Sequence, residues 1–143
     1  MSGLSVFFSS NVEQEKVVKY PVSKRFVDPE TNKAAEWEIG CIDADEDEAI
    51  RKSCTKKIPI PGKKNTYMPE TDFESYLGKL AVRCIKYPNL NDMELQNSYG
   101  VMGADKLLKT MLKPGEYQDL LKKIQEVNGF DVSMEDMVDE AKN

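Results

Sequence analysis

The strongest nucleophiles this chain could offer are three thiols, Cys41, Cys54 and Cys84, and no histidine accompanies them. Without imidazole there is no Ser-His-Asp triad, no Cys-His pair and no histidine metal ligand. The cysteines form no CxxC pair, so a structural zinc site lacks both ligands and spacing. An odd number of thiols behind a start that is no secretory leader reads as reduced cysteine in a cytoplasm. Cys54 and Cys84 lie near apolar stripes and read as small core residues. Two other patterns brush against known chemistry. Asp43, Asp45 and Asp47 occupy positions 1, 3 and 5 of a calcium loop, but Glu48 stands where that loop needs Gly and Cys54 where it needs Glu. Gly100-Val-Met-Gly103-Ala-Asp-Lys106 has two residues between its glycines and Leu107 after its lysine, whereas a phosphate loop needs four and a Ser or Thr. It reads as a tight turn between helices. Carboxylate pairs are abundant but fall in helix first turns or on polar faces, with nothing to separate a general acid from a general base. No catalytic residue, metal or cofactor is expected.

The elements that would position any site follow from patterning. Residues 1–14 read as an N-terminal arm, polar apart from Val6, Phe7 and Phe8, and residues 15–143 as one domain. Val18, Tyr20, Val22 and Phe26 share one face at period two, and so do Ala35, Trp37, Ile39 and Cys41. The polar run Asp28–Lys33 between them predicts a β-hairpin over 15–42, with Pro21 placing its first strand at a sheet edge. A lone hairpin is marginal in water, so it must pack on the helical part, 43–143.

That part opens with Asp43-Ala-Asp-Glu-Asp-Glu48, followed by bases as far as Lys57, which suits a surface helix and its dipole. Residues 58–70 carry three prolines and a glycine and are predicted as a loop. Thr71 with Glu74 predicts a capped helix whose stripe runs Phe73, Tyr76, Leu77, Leu80, Ala81, Cys84 and Ile85, stopped by Pro88. Asn91 is read as the cap of a short helix ending at Gly100. Ala104, Leu107, Leu108, Met111 and Leu112 form the next stripe. Pro114 starts a helix with Tyr117, Leu120, Leu121, Ile124 and Val127 on one face, closed by Gly129. Ser133 is read as capping a last helix bearing Met134, Met137 and Val138. Strands in a block ahead of helices predict α+β: an N-terminal β-hairpin packed on a mainly α-helical bundle of about six helices.

The chain has 20 Lys plus Arg against 25 Asp plus Glu, a formal net charge of −5. A pI near 4.9 speaks against nucleic acid as a partner. No segment has the ~20 apolar residues that span a bilayer, which speaks against a membrane. What remains is apolar supply on short elements, pointing to a binding or scaffold protein. Two contact regions are expected: the 58–70 loop through Ile58, Ile60 and Tyr67, and the C-terminal face through Met134, Met137 and Val138.

Longer strings go further. Tyr20-Pro-Val-Ser-Lys-Arg-Phe26, Glu36-Trp-Glu-Ile39, and Glu46-Asp-Glu-Ala-Ile-Arg-Lys52 running into Pro59-Ile-Pro-Gly-Lys63 resemble the XkdN-like family of phage tail assembly chaperones. So do Tyr87-Pro-Asn-Leu-Asn-Asp92, Leu95-Gln-Asn-Ser-Tyr-Gly-Val-Met-Gly-Ala-Asp105, Met111-Leu-Lys-Pro-Gly-Glu-Tyr117 and Asn128-Gly-Phe-Asp131. The resemblance covers roughly residues 15–143. It implies a non-catalytic protein of a phage or prophage of Gram-positive bacteria, acting in the host cytoplasm. Its implied partner is the tape measure protein, kept soluble until tail tube subunits polymerise around it. The tail tube protein is a second partner to expect, and weak self-association a third contact. The rival readings are a structural component retained in the virion and a small enzyme.

Overall fold

The computed structural model describes residues 3–13 and 17–130. The apolar alternation of the N-terminal part makes four short strands: β1 (Val18–Tyr20), β2 (Val27–Asp28), β3 (Lys33–Ala34) and β4 (Trp37–Ile39). β1 and β4 pair antiparallel with Val18 opposite Ile39 and Tyr20 opposite Trp37. The hairpin tip, β2 with β3, pairs separately, turning through Asn32 at φ 57°. Trp37 and Ile39 are buried and Phe26 sits 6.2 Å from the Trp37 ring, so the expected face is the one that meets the core. β1 is an edge strand, as Pro21 indicated.

Helix α1 (Ala44–Ser53) begins at Asp43, whose carboxylate accepts the Glu46 N–H at 2.8 Å. It is shorter than the charge pattern suggested. The chain leaves it at Cys54 and forms β5 (Thr55–Pro59), which pairs with β6 (Tyr67–Thr71). Residues 58–70 are therefore not simply a loop, and this corrects the sequence reading. Three prolines exclude helix but not a two-stranded ribbon, in which each strand has an open edge needing no N–H donor. The loop shrinks to the ribbon's tip, where Gly62 and Asn65 take φ of 79° and 56°.

Helix α2 (Phe73–Cys84) is the centre of the bundle and buries Tyr76, Leu77, Leu80, Ala81 and Cys84. Its cap is Asp72, accepting from the Ser75 N–H, and not Thr71. Thr71 ends β6, 2.8 Å from the Thr55 hydroxyl, which is donated to the Arg51 carbonyl. The helix also stops before Ile85. Residues Ile85–Tyr87 form β7, which pairs with β4 and completes a three-stranded sheet in the order β1-β4-β7. Ile85 is buried as its apolar character demands, but from a strand. The short helix α3 (Met93–Ser98) is capped by Asp92 and not Asn91. Gly100 follows it in the left-handed region, φ 66°, where a side chain would be strained.

Helices α4 (Ala104–Met111) and α5 (Pro114–Val127) carry the stripes read from sequence; Leu107, Leu108, Leu120 and Ile124 are each at most 1% exposed. Both helices pack on α2 and, with Trp37, Ile39 and Ile85 of the sheet, close one core. The fold is α+β, with five α-helices among the described residues beside small antiparallel sheets. The sixth expected helix, with Met134, Met137 and Val138, lies outside the described residues. So does part of the 1–14 arm. Of it, Gly3–Phe7 forms a 3₁₀ turn that leaves Leu4 and Phe7 about three-quarters exposed, at 73% and 75%.

One polar knot ties the N-terminal segment to the helices. The Arg25 guanidinium donates to the Glu116 carboxylate and, at 2.8 Å, to the Met111 carbonyl. Glu116 also reaches back to the Lys113 N–H at 2.8 Å. Hydrogen bonds from Arg25 first, then Ser23 and Lys113, lower the Glu116 pKa to about 2 from 4.5. A carboxylate lowered on folding stabilises the fold above its unfolded pKa and loses that contribution as pH falls through the folded one. The gap between thermal melts of the wild type and Arg25→Met should therefore be widest at neutral pH and narrow as pH falls from about 4.5 to about 2, leaving the part due to the bond to the Met111 carbonyl. A difference that persists undiminished at pH 2 would contradict this role.

Candidate interaction surface

α1 has no buried residue. It is held against α2 largely through polar contacts. The Tyr76 hydroxyl donates to Asp47, and the Arg51 guanidinium lies 4.8 Å from the centre of the Tyr76 ring. Farther along, Arg83 Nε donates to Glu46 Oε2 at 2.9 Å and Lys79 Nζ to Ser53 Oγ at 3.2 Å. This spacing leaves a groove of about 500 Å³. Ala49 and Ile50 of α1, Val82 of α2 and Ala104 at the start of α4 are its apolar lining, and Lys79, Arg83, Glu46 and Asp105 its charged lining. Apolar lining beside charges of both signs is suited to the apolar face of a helix from another chain.

The ribbon β5–β6 is a second surface. Ile58 stands opposite Met68, and Pro59 opposite Tyr67. Because paired residues share a face and neighbours alternate, Ile58 and Ile60 lie on one side and Tyr67 on the other. Ile58 is half-buried and lines a cleft with Phe73 at the start of α2, whereas Tyr67 is 57% exposed. The structure thus brings two of these three residues together and separates the third. Met134, Met137 and Val138 lie outside the described residues. Sequence reasoning missed the groove, since Ile50 sits among charges in α1 and Val82 falls beside the main stripe of α2. It also missed Met93 and Met102, exposed at 74% and 88% at either end of α3 and its following turn.

A concavity of about 730 Å³ lies on the outer face of the sheet among Lys19, Asp28, Lys33, Glu36, Glu38 and Tyr87. Its lining mixes both charges and contains neither cysteine nor serine. Among the described residues no group of three or more Cys, Asp or Glu could hold a metal ion. Cys84 is fully buried; burial pushes its thiol up, away from the reactive thiolate, and the Asn128 amide donates to its sulfur at 3.3 Å. Burial, then the bond to Asp47, raises the Tyr76 pKa to about 12. Both shifted groups belong to helix contacts. No helix of the described residues is long and apolar enough to cross a membrane.

The described residues make a small α+β fold with an apolar groove between α1, α2 and α4. Comparison with known proteins gives the family. Residues 4–142 match the phage XkdN-like tail assembly chaperone proteins, and the chain belongs to that family. It is 31% identical to the uncharacterized protein YqbN of Bacillus subtilis (strain 168) over 141 residues, 98% of this chain and 93% of YqbN. It is 28% identical to the phage-like element PBSX protein XkdN of the same organism, with the same coverage. The crystal structure of YqbN superposes with a TM-score of 0.75 at 28% identity, covering 92% of this chain and 99% of that one. The family's role, tail assembly chaperone, is a non-enzymatic one that implies protein partners in the phage tail.

Proposed function

We propose that this chain binds the tape measure protein of a tailed phage or prophage in the host cytoplasm and keeps it soluble until tail tube subunits enclose it. A long chain with apolar helical stripes self-associates when those stripes are open to water. A small domain that lays an apolar groove over each stripe prevents this without making or breaking a bond. The observation that carries the reading is the groove of Ala49, Ile50, Val82 and Ala104 in a member of a tail chaperone family. Release during tube assembly requires each contact to be weak, so several copies should bind one client, and the client's summed affinity comes from their number. Tagged chain co-expressed with the tape measure protein of the same phage should retain it on an affinity column, with more than one chaperone per client by quantitative mass spectrometry. Recovery of no tape measure protein would count against the proposal. Stoichiometric amounts of this chain in finished virions would favour a structural role instead.

A further inference from the structure

We infer that the β5–β6 ribbon is a docking arm whose partner is an acidic helix of another protein, held by Lys57, Lys63 and Lys64 around an apolar contact on Tyr67. The inference rests on the arm's own geometry and charge and not on the groove. Every residue from 61 to 70 is exposed. The arm is tied down at its base, where the Thr55 and Thr71 hydroxyls lie 2.8 Å apart and the Asp72 N–H donates to the Cys54 carbonyl at 2.9 Å. A two-stranded ribbon that buries so little is marginal by itself, so its length supplies surface and not core. Its open edges are poor templates for another strand. The bonds from Asp72 to Cys54 and from Ile60 to Thr66 put the even-numbered residues in hydrogen-bonded pairs, so the odd-numbered ones turn their backbone outward. Those outward positions include Pro59 on one edge and Pro69 on the other, and neither has an N–H to offer an incoming strand. A partner is therefore held by side chains, which favours a helix over an extended segment.

Charge decides which helix. Residues 55–71 carry Lys56, Lys57, Lys63 and Lys64 against Glu70, a net +3, so the rest of a chain of net −5 carries −8. Lys56 shares a cleft with Glu70, Asp72 and Glu74. Lys57, Lys63 and Lys64 have no ion-pair partner among the described residues, whereas Arg25, Arg51, Lys52, Arg83 and Lys123 are each paired. Lys57 shares its face with Pro59, Tyr67 and Pro69, and all four are exposed. The Tyr67 ring between the two prolines is the apolar contact of this face. Strand rise places the tip lysines roughly 10–13 Å along the ribbon from Lys57. Two helical turns cover about 11 Å, so carboxylates at i and i+7 of a helix reach both lysine positions while an apolar residue between them meets Tyr67. Each exposed ion pair is weak, which suits a reversible contact. Nucleic acid fits less well, because the arm is mounted on an otherwise acidic chain and the family implies protein partners in the phage tail.

The test uses the full-length chain and a fluorescent helical peptide with glutamates at i and i+7 bracketing leucines at i+3 and i+4, beside the same peptide with glutamine for glutamate. The proposal requires the glutamate peptide to bind about tenfold more tightly than the glutamine peptide, and its titration to move the amide signals of Lys57, Lys63, Lys64 and Tyr67. The variant K57E/K63E/K64E should lose about tenfold in affinity for the glutamate peptide and melt as the wild type does, since all three positions are exposed. Should the reversal lower the melt, K57Q/K63Q/K64Q carries the same comparison. I50E/V82E should bind the peptide as the wild type does, so a failure of the arm and a failure of the groove are read separately. Equal binding of the two peptides, wild-type affinity in the lysine variants, or signals that move only in the groove overturns the proposal. Tighter binding of single-stranded DNA than of the glutamate peptide, lost in the same variants, overturns it in favour of nucleic acid. Self-association of the wild type that the charge reversal abolishes overturns it in favour of a second copy.

Discussion

Replacing both Ile50 and Val82 by Glu abolishes retention of the tape measure protein while the chaperone still melts cooperatively, at a somewhat lowered temperature. Both side chains are half-buried and pack against the edge of the core without belonging to its fully buried set, so their replacement costs some stability but leaves the packing of α2 on α4 and α5 in place. A carboxylate in the lining would have to be desolvated by any apolar helix that docks, a cost of several kcal/mol that the helix cannot offset. Affinity should fall at least tenfold for each contact, and more when several copies act together. Affinity chromatography with quantitative mass spectrometry reads the first effect, and a circular dichroism melt the second. Undiminished retention by a folded variant would move the client site elsewhere, the β5–β6 ribbon being the next place to look.

Leu80→Ala is the complementary case. Leu80 is 1% exposed on α2, in the core cluster that joins α4, α5 and the sheet. Truncating a fully buried leucine removes its transfer free energy and leaves a cavity, together about 2–5 kcal/mol. Against a total stability of about 5–15 kcal/mol this lowers the urea midpoint markedly. Tyr67→Ala, on the solvent side of the ribbon, should shift stability by no more than about 0.5 kcal/mol. If Tyr67→Ala proves as costly as Leu80→Ala, the ribbon is part of the core and cannot serve as a contact surface.

The helical half of the fold was legible because its signals are local. The stripe Leu107, Leu108, Met111 and the Pro114 to Gly129 frame are fixed by helical period and by end residues, and the structure places them accordingly. Cap positions slipped by one residue at Asp72 and Asp92, since neighbouring side chains, Thr71 and Asn91, could cap equally well. Only tertiary contact decides such cases: Thr71 is engaged by Thr55 across the ribbon. Three strands were missed: β5 and β6, a local ribbon whose prolines read as loop, and β7, whose partner β4 is distant in sequence. Ile85 continues the helical stripe of α2 by spacing, and it becomes a strand residue because β4 offers a ladder. The groove was invisible for the same reason, as Ile50, Val82 and Ala104 come from three elements that no single-segment pattern connects. The resemblance to the XkdN-like family supplied the function class, which neither periodicity nor charge could.

The central claim is that this domain acts by covering another chain's apolar surface. Its most direct measurement is the soluble fraction of the tape measure protein, expressed alone, with the wild-type chain, and with the Ile50→Glu, Val82→Glu double variant. The account predicts pelleted client alone, soluble client in a complex with the wild type, and pelleted client again with the folded variant. Client that stays soluble without its chaperone, or that pellets despite an excess of the wild type, would contradict it.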